Sequence, residues 1–261
     1  MIWAGLAWHR SKLVIKTFCS NDLDSYRMDY REPHRELEAP EKEITLVDQA
    51  LAVLQQAGVL PNTSYEHEKL LAHRAAVREL FDIPWTAITP RAQRLLYAIN
   101  AIAQPRVLIA AGVFCGNTFI SNAGAAVGPG ACYSAGELIG VEIVPEEAAR
   151  AERNTRRIDP TGVARVVAGD AIKFVTEYAG QIDLLYLDAD DGKAHLGKGI
   201  YFDILSPAYP KMSPGSLVLA HNSYNAADKL KHYLEFVRNP AHFRASVNII
   251  LDIEGLEVSV K

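Results

Sequence analysis

The chain has 261 residues, 49% hydrophobic and 22% charged, with a formal charge of −4. Such a balance marks a globular protein with an ample core, and the absence of any long basic block gives no reason to expect a nucleic-acid partner. Cys19, Cys115 and Cys132 are too few and too scattered for a disulfide framework or a zinc knuckle, so a reduced, cytoplasmic setting is expected. The apolar start, residues 1–8, has no basic region before it and is interrupted by His9, Arg10 and Lys12. Neither a signal peptide nor a membrane span is expected from it.

Residues 1–42 read as an N-terminal arm, either loosely docked or reaching over a dimer partner or the site. Within it, residues 14–18 suit a short strand, and residues 21–43 are charged and aromatic without a clear period. Residues 43–104 read as a helical cap. Leu46, Ala50, Leu51, Val53 and Leu54 have helical spacing, with Gly58 and Pro61 as stop signals. A second helix is expected over residues 64–81, on which His67 and His73 read as surface residues. A third starts at Thr89-Pro90, where a helix tolerates proline, and runs to Ala103.

Residues 105–261 alternate strand and helix. The run Val107–Ala111 reads as a buried strand that breaks at Gly112, passes Gly116 and turns helical through Phe119 and Ile120. Strand, glycine turn, helix opens a nucleotide-binding βα unit, in which the backbone approaches a ligand and the helix offers unpaired N–H groups. The G-x-x-x-G spacing matches neither the dinucleotide nor the phosphate-loop pattern, and no lysine or arginine stands in the turn. A nucleoside without phosphates fits it better. Further strands are expected at residues 138–143, 164–168, 182–187 and 216–220, and a terminal hairpin at residues 245–252 and 256–261. Repeated βα units imply a doubly wound, mostly parallel α/β sheet, whose ligands sit at the carboxyl ends of the strands. Those ends carry Gly112 to Gly116, then Glu142, Asp170, Asp188 with Asp190, and His221-Asn222-Ser223. An acid at the end of the second βα strand can take both hydroxyls of a ribose.

On these residues the chain resembles the class I S-adenosylmethionine-dependent methyltransferases, and within them the small-molecule O-methyltransferases of the catechol and caffeoyl-CoA type. The similarity covers about residues 85–261 and includes Ile88-Thr89-Pro90, the Gly112 to Gly116 turn, Glu142, Gly169-Asp170-Ala171 and Leu187-Asp188-Ala189-Asp190. It implies a seven-stranded, Rossmann-like sheet with a C-terminal antiparallel hairpin and an N-terminal helical cap. S-adenosylmethionine would be the cosubstrate, with Glu142 on the ribose and Asp170-Ala171 flanking the adenine. Ala110, Gly112, Phe114, Gly116, Asn117, Thr118 and Asp188 would surround the rest of it.

The sequence departs from the family at three positions. Ala110 stands where a glutamate near the cofactor's amino acid part is usual, and Asp191 where a lysine proton acceptor is usual. His221-Asn222 replaces the Asp-Asn pair that joins the acid at Asp188 in the metal site. Histidine and carboxylate can hold Mn, Fe or Zn, but Mg prefers oxygen ligands, so no metal-ligand set is assigned. The expected activity is methyl transfer to a hydroxyl or amino group of a small acceptor, with Asp188, His221, Asn222, Ser223 and Tyr224 as the chemical residues. An alternative follows from Ala110. Without a neighbouring carboxylate the cofactor's amine is more readily neutral, and it could displace the sulfonium to give azetidine-2-carboxylate and methylthioadenosine. A second alternative is a cofactor-binding protein without catalysis. A small-molecule substrate and a homodimer are expected, with no nucleic acid and no membrane.

Overall fold

The computed structural model of the chain describes residues 14–191 and 197–261. The apolar start discussed above lies outside them. Its strands are β1 (Val14–Cys19), β2 (Val107–Ala111), β3 (Glu137–Glu142), β4 (Ala164–Ala168), β5 (Leu184–Leu187), β6 (Leu217–His221), β7 (Ala245–Ile250) and β8 (Leu256–Val260). Its helices are α1 (Pro40–Gln56), α2 (His67–Leu80), α3 (Pro90–Ala103), α4 (Asn117–Ala123), α5 (Pro145–Ile158), α6 (Ala171–Glu177), α7 (Tyr201–Ala208) and α8 (Lys231–Val237). No helix among the described residues is long and apolar enough to cross a membrane.

All the strands join one sheet in the order β1-β7-β8-β6-β5-β2-β3-β4. Among the described strands only β8 runs antiparallel to both its neighbours, pairing Val260 with Ala245 on one side and with Leu217 on the other. The doubly wound sheet and terminal hairpin match expectation, but the sheet has eight strands rather than seven. The added one is β1, parallel to β7 along its whole length. Without it β7 would leave a row of unpaired backbone groups at the sheet edge, which a short strand from the N-terminal segment caps.

Side-chain alternation along the strands divides the core between two faces. Leu108 and Ala110 of β2 pack with Leu51, Leu96, Phe119 and Ala151 of the α1, α3, α4 and α5 side. Ile109 and Ala111 pack with Val175, Ile204 and Val237 of the α6, α7 and α8 side. Helix α1 starts at Pro40, earlier than periodicity alone suggests. Proline in its first turn and Glu41 and Glu43 beside the helix N-terminus account for that. Helix α3 begins where expected, capped by Thr89, whose Oγ1 accepts from the Ala92 N–H at 3.2 Å.

One feature reverses expectation. His73 is buried, not on the surface; it lies so close to Gly124 that a Cβ there would come within 2.3 Å of its ring. Burial, with the charge of Arg74 beside it, pushes its pKa down to about 4, so the ring is neutral. Arg91 and Arg94 on α3, which carry no signal of burial in the sequence, are themselves buried. Arg94 Nε donates to Glu43 Oε1 at 2.5 Å, and Arg91 binds the segment that follows β1 through Asp22 and Glu38.

Candidate active site

The turn from β2 into α4 is built from left-handed backbone: Gly112 at φ 78°, Phe114 at φ 49° and Gly116 at φ 91°. Gly112 N–H donates to the Val141 carbonyl at 2.9 Å, and Gly116 N–H closes the turn on Val113 at 2.7 Å. The two glycines serve different purposes. A Cβ on Gly116 would press on Ala151 of α5 at 3.2 Å, whereas one on Gly112 would meet the Ala189 backbone at 2.4 Å. Gly112→Ala forces backbone against backbone in a left-handed conformation, so a loss of about 3 kcal/mol or more is expected. A urea midpoint unchanged from wild type would refute this reading of the turn.

Phe114 holds its left-handed conformation with a specific partner, since its N–H donates to Glu142 Oε2 at 2.7 Å. The other oxygen, Oε1, accepts from the Val144 N–H at 3.0 Å. A carboxylate at the end of β3, nearly buried, is thus fixed by backbone donors on two loops. It looks into a cleft of about 780 Å³ that runs along the carboxyl ends of β2 to β6. Trp85, Thr86 and Ile88 form one wall, and Ile143 and Val144 lie by Glu142. Trp85 sits 4.7 Å from Phe114, ring centre to ring centre. Trp85, Ile143 and Val144 are large apolar residues exposed to solvent, and all three border this cleft.

At the other end of the cleft, Asp188 follows β5. Lys198 Nζ donates to its Oδ1 at 2.7 Å and to its carbonyl at 2.9 Å. His221 Nδ1 lies 3.3 Å from the same Oδ1, yet both ring nitrogens are buried without a hydrogen-bond partner among the described residues. Burial raises the Asp188 pKa, but Lys198 and then His221 outweigh it and hold the carboxyl at about 2. For His221 burial works downward, and Asp188 overcomes it to leave the pKa raised. Asn222, at φ 62°, ends β6 beside them. The donor set fits a divalent cation poorly, because an ammonium already holds Asp188 Oδ1 and an imidazole stands beside it where a second carboxylate would be needed. Among the described residues no cluster of three His, Cys, Asp or Glu side chains is arranged to hold a metal ion.

Of the expected chemical residues, Asp188, His221 and Asn222 line the cleft, and Ser223 and Tyr224 do not. The Ser223 hydroxyl donates to Asn248 Oδ1 at 2.8 Å inside the fold, and the Tyr224 N–H donates to the Glu254 carbonyl. Of the expected cofactor residues, Gly112, Phe114, Asn117, Thr118, Glu142, Asp170 and Ala171 line it. Asp170 also caps α6, its Oδ1 accepting from the Lys173 N–H at 2.9 Å. Ala110 is fully buried in the core, and Gly116 shapes the turn from behind. Trp85 and Lys198 are cleft residues that sequence reasoning missed.

A family profile described as a methyltransferase domain matches residues 109–223. The catechol O-methyltransferase of Niastella koreensis is 28% identical over 162 residues, 60% of this chain and 67% of that protein. Residues 109–223, somewhat under half of the chain, are thus similar to a methyltransferase domain. Similar solved folds include an O-methyltransferase from Bacillus cereus in complex with S-adenosylhomocysteine, at 16% identity and TM-score 0.55, covering 82% of this chain and 100% of that one. Another is TomG from Streptomyces achromogenes in complex with S-adenosylmethionine, at 16% identity and TM-score 0.55, covering 85% and 99%. The matched stretch contains every residue lining the cleft apart from the wall at residues 85–88, which the preceding segment contributes.

Proposed function

We propose that the chain transfers the methyl group of S-adenosylmethionine to a hydroxyl group of a small-molecule acceptor. The observation that carries this reading is one continuous cleft with a backbone-fixed carboxylate, Glu142, at one end and the Lys198–Asp188–His221 cluster at the other. Glu142 would accept from the ribose hydroxyls, and Asp170 and Ala171 would border the adenine with Ile143 and Val144 beneath. The bend at Gly112 leaves room for the methionine part. An acceptor oxygen held over Asp188 then faces the sulfonium methyl, and orientation supplies most of the rate. A divalent cation has no step here, for the reason of donor set given above.

Trp85 is proposed to cover the bound cosubstrate from the far wall. An aromatic contact of that kind contributes about 0.5–1.5 kcal/mol. Trp85→Ala should therefore raise KM for S-adenosylmethionine up to about tenfold and leave kcat at saturation near wild type. A fall in kcat at unchanged KM would assign the residue to the acceptor instead.

The test is product analysis by mass spectrometry after incubation with S-adenosylmethionine, alone and with a panel of hydroxylated acceptors. S-adenosylhomocysteine formed only with an acceptor is expected. Methylthioadenosine and azetidine-2-carboxylate formed without one would favour the cyclisation instead. Binding without any turnover would leave the non-catalytic reading.

A further inference from the structure

We propose that Lys198 is a catalytic residue, its ammonium group serving as a built-in cation that binds and ionises the acceptor hydroxyl. This rests on the methyl-transfer reading above. Three observations converge on it. Lys198 lines the cleft at the end away from Glu142. Its Nζ is tied to Asp188 by two hydrogen bonds, one to the side chain and one to the backbone, so the charge is held in one place rather than waving in solvent. Gly197, the residue before it, is held to the end of β5, because its N–H donates to Asp191 Oδ1 at 3.0 Å, and it takes a left-handed φ of 52°. Asp191, which stands where the resemblance would put a lysine, therefore helps position the lysine that reaches the site from a later turn.

An ammonium has three donors, and Asp188 uses two of them on adjacent oxygens. An oxygen brought to the cleft side of Nζ meets a fixed positive charge with a third donor. A cation within hydrogen-bond reach of an ionisable oxygen raises its ionised fraction about 10- to 1,000-fold. Asp188 is an anchor for that charge, its Oδ1 taken up by Lys198 and flanked by His221. Buried Tyr201 lies beneath, with its ring centre 5.8 Å from Nζ, and gives the ammonium a surface to rest on.

The step balances without a metal or any other co-reactant. The acceptor O–H bond breaks and its proton passes to water at the open cleft mouth. The oxygen lone pair forms the new bond to the methyl carbon. The carbon–sulfur bond breaks with its electron pair on sulfur, and the sulfonium becomes a thioether. Lys198 keeps all its protons throughout.

The test uses Lys198→Met, which removes the charge at similar length, and Lys198→Arg, which keeps it. 4-Nitrophenol, whose anion and neutral form absorb differently, is titrated into each protein saturated with S-adenosylhomocysteine. Acceptor turnover and affinity for S-adenosylhomocysteine are measured in parallel. The expected result is ionisation of the bound probe at a pH where it is neutral in solution, a shift lost in Lys198→Met and kept in Lys198→Arg. Turnover should fall about 10-fold or more in Lys198→Met with little change in S-adenosylhomocysteine affinity. A probe that ionises equally in wild type and Lys198→Met, or that shows no shift in wild type, overturns the proposal. So does turnover that survives the methionine variant, or that needs an added divalent cation. Turnover indifferent to Lys198 would sink this inference alone. A Lys198-dependent probe shift with no turnover on any acceptor would instead sink the proposed function.

Discussion

Arg91→Met should be the most destabilising single change in the chain, by about 3–5 kcal/mol, the range for stripping one partner from a buried charge network. The guanidinium is fully buried. Its Nε donates to Glu38 Oε1 at 2.6 Å, and Nη1 to Asp22 Oδ1 at 2.9 Å and to the Leu251 carbonyl at 3.1 Å. Nη2 reaches Asp22 Oδ2 at 2.8 Å and also bonds Glu38 Oε2. The Tyr26 ring covers the other face, 3.6 Å from Cζ. One side chain thus ties the segment after β1 to α3 and to the loop after β7. The methionine variant fills much of the volume but leaves Asp22 and Glu38, among the described residues, with the half-exposed Lys42 as their remaining cation and Asp22 with the Ser20 hydroxyl.

The sign of the pH effect discriminates this account from simple loss of packing. In wild type, Arg91 holds the Asp22 carboxyl well below its usual range against the opposing effect of burial. Its contribution is complete above the ordinary carboxylate pKa of about 4, and it fades as pH falls through the depressed value. In Arg91→Met the unpaired carboxylates gain from protonation, so the gap between variant and wild type should narrow from pH 7 towards pH 4. Urea unfolding at both pH values measures it. A pH-independent gap would mean that packing, not charge, holds the segment.

Glu142→Gln should cost the protein about 100-fold or more in affinity for S-adenosylmethionine. Hydrogen bonds to a charged partner contribute about 1.5–3 kcal/mol each, and the ribose offers two hydroxyls to one carboxylate. The amide can still accept on one oxygen, but its NH₂ would face the Phe114 or Val144 N–H that now donates to the carboxylate. The turn that carries Phe114 in a left-handed conformation would then lose part of its support, which adds to the loss. Equilibrium titration with S-adenosylhomocysteine checks the figure. An affinity within threefold of wild type, about 0.65 kcal/mol, would place the ribose elsewhere.

The parts of the fold legible in the sequence are those governed by local rules. Helix α3 shows its start in Thr89-Pro90, and β2 shows both bounds in its apolar run, because capping and periodicity are written in adjacent residues. The cleft's glycine bend, Glu142 and Asp188 were legible because strand ends in an alternating βα chain converge. The eighth strand was the weakest local signal, a short segment whose partner β7 is over two hundred positions away. Arg91 reads as a solvated helix residue until Asp22 and Glu38, 69 and 53 positions away, are folded against it. Lys198 sits in a short turn with no period to flag it. Ser223 and Tyr224 come just after His221-Asn222, but the left-handed Asn222 swings the chain so that Ser223 meets Asn248 instead of the cleft. Ala110 alternates with Ile109 and Ala111 along β2, which puts its side chain in the core with Leu108.

A crystal structure of the full chain with S-adenosylhomocysteine is the most direct measurement. Both ribose hydroxyls should lie within hydrogen-bond distance of the Glu142 carboxylate, with the sulfur near Gly112 and the open side of Lys198 facing it. Density for the nucleoside in the second cavity, about 440 Å³ between residues 33–38 and helices α2 and α3, with the Glu142 carboxylate still bound only to Phe114 and Val144, would contradict the assignment.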